Sequence, residues 1–192
     1  MKLGAKIFGA LGCVLILYLL VGFLMPGTWT AKHEAFVSSP PSEVFPLLNR
    51  MDGWQLWAPM PESGSELFGP REGVGAGIRW ADPQYGKGQI RITRSLANTE
   101  VAYSVDVEGG ALLIAGVFTL TPQGSGTQIK WTEAGDFGWN PLMGYAARGM
   151  GPSQTEAMRA SMEQLILLLE KSPGSASTHD LSTETAGSIA GG

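Results

Sequence analysis

The sequence predicts an α+β domain, a curved antiparallel β-sheet wrapped around a long C-terminal helix, preceded by a single transmembrane helix. Three observations carry this reading. Residues 7–25 run without a charge. Between Ser65 and Ala134, alternating segments end at Gly, Pro and Asn turns about every 10 residues, as in an antiparallel meander. After Ser153 the apolar period changes from two to that of a helix.

The uncharged run IFGALGCVLILYLLVGFLM extends about 28 Å as a helix, close to the thickness of a bilayer core. A helix satisfies its own backbone groups, as hydrocarbon requires. Three other readings compete. A cleaved signal peptide has a shorter apolar core and a small-residue cleavage site, and the exit MPGTWTAKHEA offers no good pair of small residues. A lipoprotein reading at Cys13 leaves almost no apolar core ahead of the cysteine. A buried core helix would show a polar face, and none exists. Lys2, Lys6 and the α-amino group precede the run, against Lys32 beside Glu34 after it. The positive-inside rule therefore puts the N-terminus in the cytoplasm and the domain outside it. Ala5, Gly9 and Cys13 form a short small-residue stripe of a kind that arises by chance.

Composition narrows the function. The formal net charge is −4. The bases form no cluster, so nucleic-acid binding has no electrostatic footprint. Cys13 is the only cysteine and lies in the apolar run, which leaves the domain without a disulfide, thiolate cluster or catalytic thiol. The only histidines are His33, next to the membrane exit, and His179, in the tail; His33 could serve alone, but their placement all but excludes a histidine metal site or a Ser-His-Asp triad. Nothing in the pattern asks for a metal or a cofactor.

The expected organisation is an anchor at 1–27, one domain at 28–171 and a tail at 172–192. The tail is Ser/Thr/Gly/Ala-rich with almost no large apolar residue, and is expected to be disordered. In the domain, Trp29–Val37 reads as a strand. Pro40-Pro41 opens a short helix that Pro46 limits or bends. An aromatic loop, Gly53–Met60, follows. Six strands come next: Ser65–Phe68, Gly75–Ala81, Gly88–Ser95, Glu100–Val107, Leu112–Thr121 and Gly126–Ala134. Ser153-x-x-Glu156 reads as a capping box. It precedes Met158, Met162, Leu165 and Leu169 on one face of a helix stopped by Ser172-Pro173-Gly174.

These pieces resemble the SRPBCC superfamily (START-like, Bet v 1-like), and within it the polyketide cyclase/dehydrase-like proteins. The resemblance covers about residues 29–171. It rests on Ser39–Phe45, Trp54 with Trp57-Ala58-Pro59, Gly75–Trp80, Gly126–Trp131 and the closing helix, in that order. It implies a helix-grip fold with a cavity for apolar or amphipathic molecules. It does not imply a reaction, since the fold hosts carriers, sensors and cyclases alike.

Strand alternation assigns the cavity face. Trp80, Tyr103, Phe118 and Trp131 are the expected aromatic walls, with Met158 and Met162 opposite them on the helix. Their alternative is plain core. Glu133 is the one carboxylate in phase with Ile129 and Trp131; buried, it would contact a ligand or act as a general acid or base. Its alternative is a hydrated rim residue, and no second acid or base joins it, so it is a weak catalytic candidate only. Trp54 and Trp57, and Trp139 and Met143 in the segment Phe137–Tyr145, are expected at a cavity entrance or a lid. That segment alternatively packs on the sheet edge or touches lipid headgroups. The resulting expectation is a membrane-anchored domain that binds a hydrophobic small molecule or lipid. A cyclase- or hydrolase-type enzyme and a ligand-free regulatory module are the rivals; the absence of His and Cys from the interior disfavours the enzyme.

Overall fold

The computed structural model describes residues 2–61, 64–83 and 86–171. The tail expected at 172–192 lies outside the described residues. The chain opens with helix α1 (Lys2–Leu24). Its segment Lys6–Leu24 is long and apolar enough to cross a membrane, a test that a signal sequence also passes. Only 6% of it is buried, so it is not a core helix.

Strand β1 (Thr28–Val37) follows, then α2 (Pro41–Asn49) and the single turn α3 (Met51–Trp54). Strands β2 (Ser65–Phe68), β3 (Gly77–Asp82), β4 (Gly86–Leu96), β5 (Glu100–Val107), β6 (Leu112–Gln123) and β7 (Gly126–Asp136) form the meander. The order in the seven-stranded sheet is β1-β7-β6-β5-β4-β3-β2. Each hairpin pairs antiparallel, and β1 closes on β7 from Thr28↔Asp136 to Val37↔Thr127. The register between β4 and β5 slips at Ile92/Arg94, a bulge that bends the sheet. Helix α4 (Met143–Lys171) crosses the concave face. This is the helix-grip architecture that the sequence predicts.

The core lies between that face and α4. Val101, Phe118, Ile129 and Leu120 point in from the strands, and Met158, Met162, Leu165 and Leu169 point in from the helix. Helix α2 continues through Pro46 to Asn49, because Pro46 is exposed while Val44 and Leu48 are fully buried. The aromatic loop is shorter than expected, since Met51–Trp54 is helical. Two indole N–H groups pin it: Trp54 Nε1 donates to the Leu48 carbonyl at 2.9 Å and Trp57 Nε1 to that of Leu47 at 3.3 Å.

The start of the long helix differs most from the sequence reading. Ser153 and Glu156 do not cap it; they lie inside it, and the helix begins at Met143. Glu156 pairs instead with Arg159. The extra turns are held by burial of Gly144, Ala147 and Gly151. Gly151 lies against β1, where an added Cβ would sit 2.7 Å from the Thr30 carbonyl oxygen. Tertiary contact thus overrides the unfavourable glycines and Pro152.

Candidate functional site

The concave face is built from large rings laid across glycines. Tyr103 on β5, Gly116 on β6 and Glu133 on β7 are neighbours in one row of the sheet. Two strand spacings separate Tyr103 from Glu133, about 9.6 Å of backbone. Gly116 has no side chain, so the Tyr103 ring lies over it, where an added Cβ would overlap the ring. The hydroxyl therefore reaches Glu133. The same device recurs where Trp80 faces Gly88 and Trp29 faces Gly135, and in both an added Cβ would overlap the indole. Glycine inside a strand marks such a close approach.

A cavity of about 160 Å³ remains between these rings and α4. Trp54, Trp80, Tyr103, Trp131, Glu133 and Met158 line it, with Ile90, Val105 and Ile114 from the sheet and Gln154 and Ser161 from α4. Its floor is an aromatic cluster. Phe118 lies behind Trp131, with centroids 4.7 Å apart, and Trp54 meets Tyr103 edge-on at 5.0 Å. Ala58, Pro59, Ala157 and Ser161 border both this cavity and an outer groove between residues 55–59 and α4. That shared border is where the cavity and the groove meet. Small side chains on α4, at Ala157, Ala160 and Ser161, leave the gap.

One chain of hydrogen bonds crosses the apolar lining. Trp131 Nε1 donates to the Tyr103 hydroxyl at 2.7 Å. Tyr103 donates to Glu133 Oε1, and Gln154 Nε2 donates to Glu133 Oε2 at 2.7 Å. Glu133 is 6% exposed. Burial pushes its pKa above the ordinary 4.5, against the two hydrogen bonds that favour the anion. Burial, and then the neighbouring carboxylate, pushes the Tyr103 hydroxyl well above 10.0. The Tyr103 hydroxyl is therefore a fixed donor at neutral pH, and Glu133 is held in one orientation from both sides. No group of His, Cys, Asp and Glu able to hold a metal ion occurs among the described residues.

The structure brings Trp80, Tyr103, Trp131, Glu133 and Met158 together around the cavity. Phe118 and Met162 are fully buried behind the lining. Trp54 is a wall residue and Trp57 is buried beside it, bordering the outer groove. Trp139 and Met143 lie away from the cavity. Trp139 is 90% exposed and packs edge-on against Phe23 at the end of α1. Gln154 is a site residue that the sequence reading misses. It stands one turn before Met158 on the same face, a spacing present in the sequence.

Comparison with known proteins places this architecture. The family model described as polyketide cyclase/dehydrase and lipid transport matches residues 28–170. The chain belongs to that family, within the SRPBCC superfamily. Among curated proteins nothing matches. Solved structures share the fold. Protein CV1439 from Chromobacterium violaceum superposes with a TM-score of 0.55 at 18% identity, covering 74% of this chain and 98% of its own. MLL2253 from Mesorhizobium loti gives 0.54 at 21% identity, over 74% and 98%. Ara h 8.0201 gives 0.55 at 14% identity, over 76% and 99%.

Proposed function

We propose that this protein is a membrane-anchored binding domain that holds an apolar or amphipathic small molecule in the cavity between sheet and α4. The observation that carries the reading is the cavity itself: an aromatic-walled space of about 160 Å³ with one oriented carboxyl in its wall. An engineered apolar cavity of about 150 Å³ stays dry and binds benzene. By that measure the space suits one ring, an isoprenyl unit or the end of an acyl chain, with the remainder of a longer lipid in the outer groove. Glu133 supplies a polar contact, and Trp80 Nε1 is a buried donor with no acceptor among the described residues. A ligand with a hydroxyl or carbonyl group near an apolar end fits both. The apolar run supports anchoring, with the domain outside the cytoplasm by the charge bias of Lys2 and Lys6.

The buried Glu133–Tyr103 pair favours a second reading, a cyclase-type enzyme in which Glu133 moves a proton. Two bonds already engage the carboxyl, and among the described lining residues there is no other carboxyl and no histidine, so binding is the stronger reading.

Thermal unfolding with fatty acids, isoprenoids and lipids tests it. A bound ligand stabilises by RT ln(1 + [L]/Kd), about 2.7 kcal/mol at 100 times Kd. Trp131→Ala should cost about 3 kcal/mol, the low end for such truncations, because one side of the ring faces open space. Apolar ligand should shift the wild type more than the variant. If no such ligand shifts the wild type and Trp131→Ala unfolds outright, the interior is filled core and the reading fails.

A further inference from the structure

We propose that the segment from Trp139 to Arg148 seats the domain in the headgroup–acyl boundary of a lipid bilayer. This rests on reading α1 as a membrane span.

The end of α1 and the start of α4 are locked together. Gly22 lies against Pro141 so closely that a Cβ would overlap its carbonyl. A Cβ on Gly144 would lie 2.7 Å from that of Met25. Tyr145 stacks on Tyr18, with centroids 4.4 Å apart and planes 4° from parallel. Its hydroxyl donates to the Tyr18 carbonyl at 2.8 Å. The domain is therefore not on a loose tether.

The register fixes the depth. Tyr18 lies six residues, about 1.7 turns, before Leu24, so it sits about 9 Å back from the end of α1. The run is just long enough for a hydrocarbon core of about 30 Å. A ring stacked at the level of Tyr18 is thus carried below the headgroups. With it go the neighbouring groups: Trp139 is 90% exposed, Leu142 47%, Leu24 86% and Phe23 50%. In water these would form a bare apolar rim around a junction too tight to bury them. At a bilayer boundary, indole and phenol rings occupy the region they favour. Arg148, exposed one turn beyond Tyr145, puts a guanidinium within reach of lipid phosphate. The anchor and the exposed rim are continuous, which selects lipid over a protein partner.

The test uses the full-length protein in phosphatidylcholine vesicles whose acyl chains carry bromine near the headgroup. The other five tryptophans lie within the domain, with Trp29, Trp54, Trp57 and Trp131 at 5% exposure or less. The difference between wild type and Trp139→Phe therefore reports residue 139. Bromolipid should quench the wild type and lose that excess in the variant, while aqueous iodide should not distinguish the two. Iodide quenching of Trp139 without bromolipid quenching would put the segment in water and overturn the seat. Quenching by neither would mean that protein covers it, a second copy included, and would also overturn it. Carbonate extraction run in parallel separates the two readings. Membrane retention without bromolipid quenching leaves the anchor standing and removes the seat. Release from the membrane removes the anchor and the seat with it.

Discussion

Glu133 shows how one residue sets both the polarity of the cavity and its pH response. Below about pH 4.5 its carboxyl is neutral in folded and unfolded chains alike. Above that pH the unfolded chain releases the proton, while the buried group keeps it up to its raised pKa. In that window unfolding releases a proton, so this residue's contribution to stability falls as pH rises and then levels off. Glu133→Gln should remove that slope in denaturant titrations from pH 4 to 8. It should change stability by no more than about 1 kcal/mol near neutral pH, because an amide can accept from Tyr103 and the Gln154 amide can turn to meet it. Retention of bound ligand should change; an unaltered ligand complement in native mass spectra would remove Glu133 from the site. The inward phase of Glu133, Trp131 and Tyr103 was legible from strand alternation alone. Their hydrogen bonds were not, because they depend on Gly116 standing between two strands far apart in sequence.

At the scale of elements, the sequence located each strand of the meander, since turn residues and two-residue periodicity are local signals. Strand β5 is Glu100–Val107 in both accounts, and β2 is Ser65–Phe68. The first turns of α4 were hidden because glycine and proline there contradict helix propensity, and only contact with β1 and α1 holds them. The groove between residues 55–59 and α4 likewise exists only in three dimensions. Ala157 is exposed on its border, so a larger side chain is tolerated there. Ala157→Trp should slow uptake and release of an apolar fluorophore severalfold while leaving stability within about 0.5 kcal/mol, as for surface changes. Unchanged exchange rates would place the ligand's route elsewhere.

For the whole molecule, the anchor reading predicts retention in the membrane fraction through high salt and alkaline carbonate. Recovery of a soluble form beginning near residue 28 would instead mean that the apolar run is a cleaved signal. The surface ion pairs do not bear on this balance. Arg79–Glu66 and Lys32–Glu34 are solvent-exposed, and such pairs contribute about 0–1 kcal/mol. Stability rests on the aromatic and aliphatic layer between sheet and helix.

Helix α4 has one further consequence. It is about 43 Å long, touches α1 with its first turn and forms the cavity wall from Gln154 onward. Pro152 stands between these two stretches and has no N–H for the carbonyl of Arg148. Thr155 draws the Gly151 carbonyl with its hydroxyl at 2.9 Å, a bond that favours bending. The helix is thus weakest at Pro152, two residues before Gln154. With α1 packed on the first turns of α4, a change in the tilt of α1 would load that joint, and the stretch beyond it carries Gln154, which donates to Glu133.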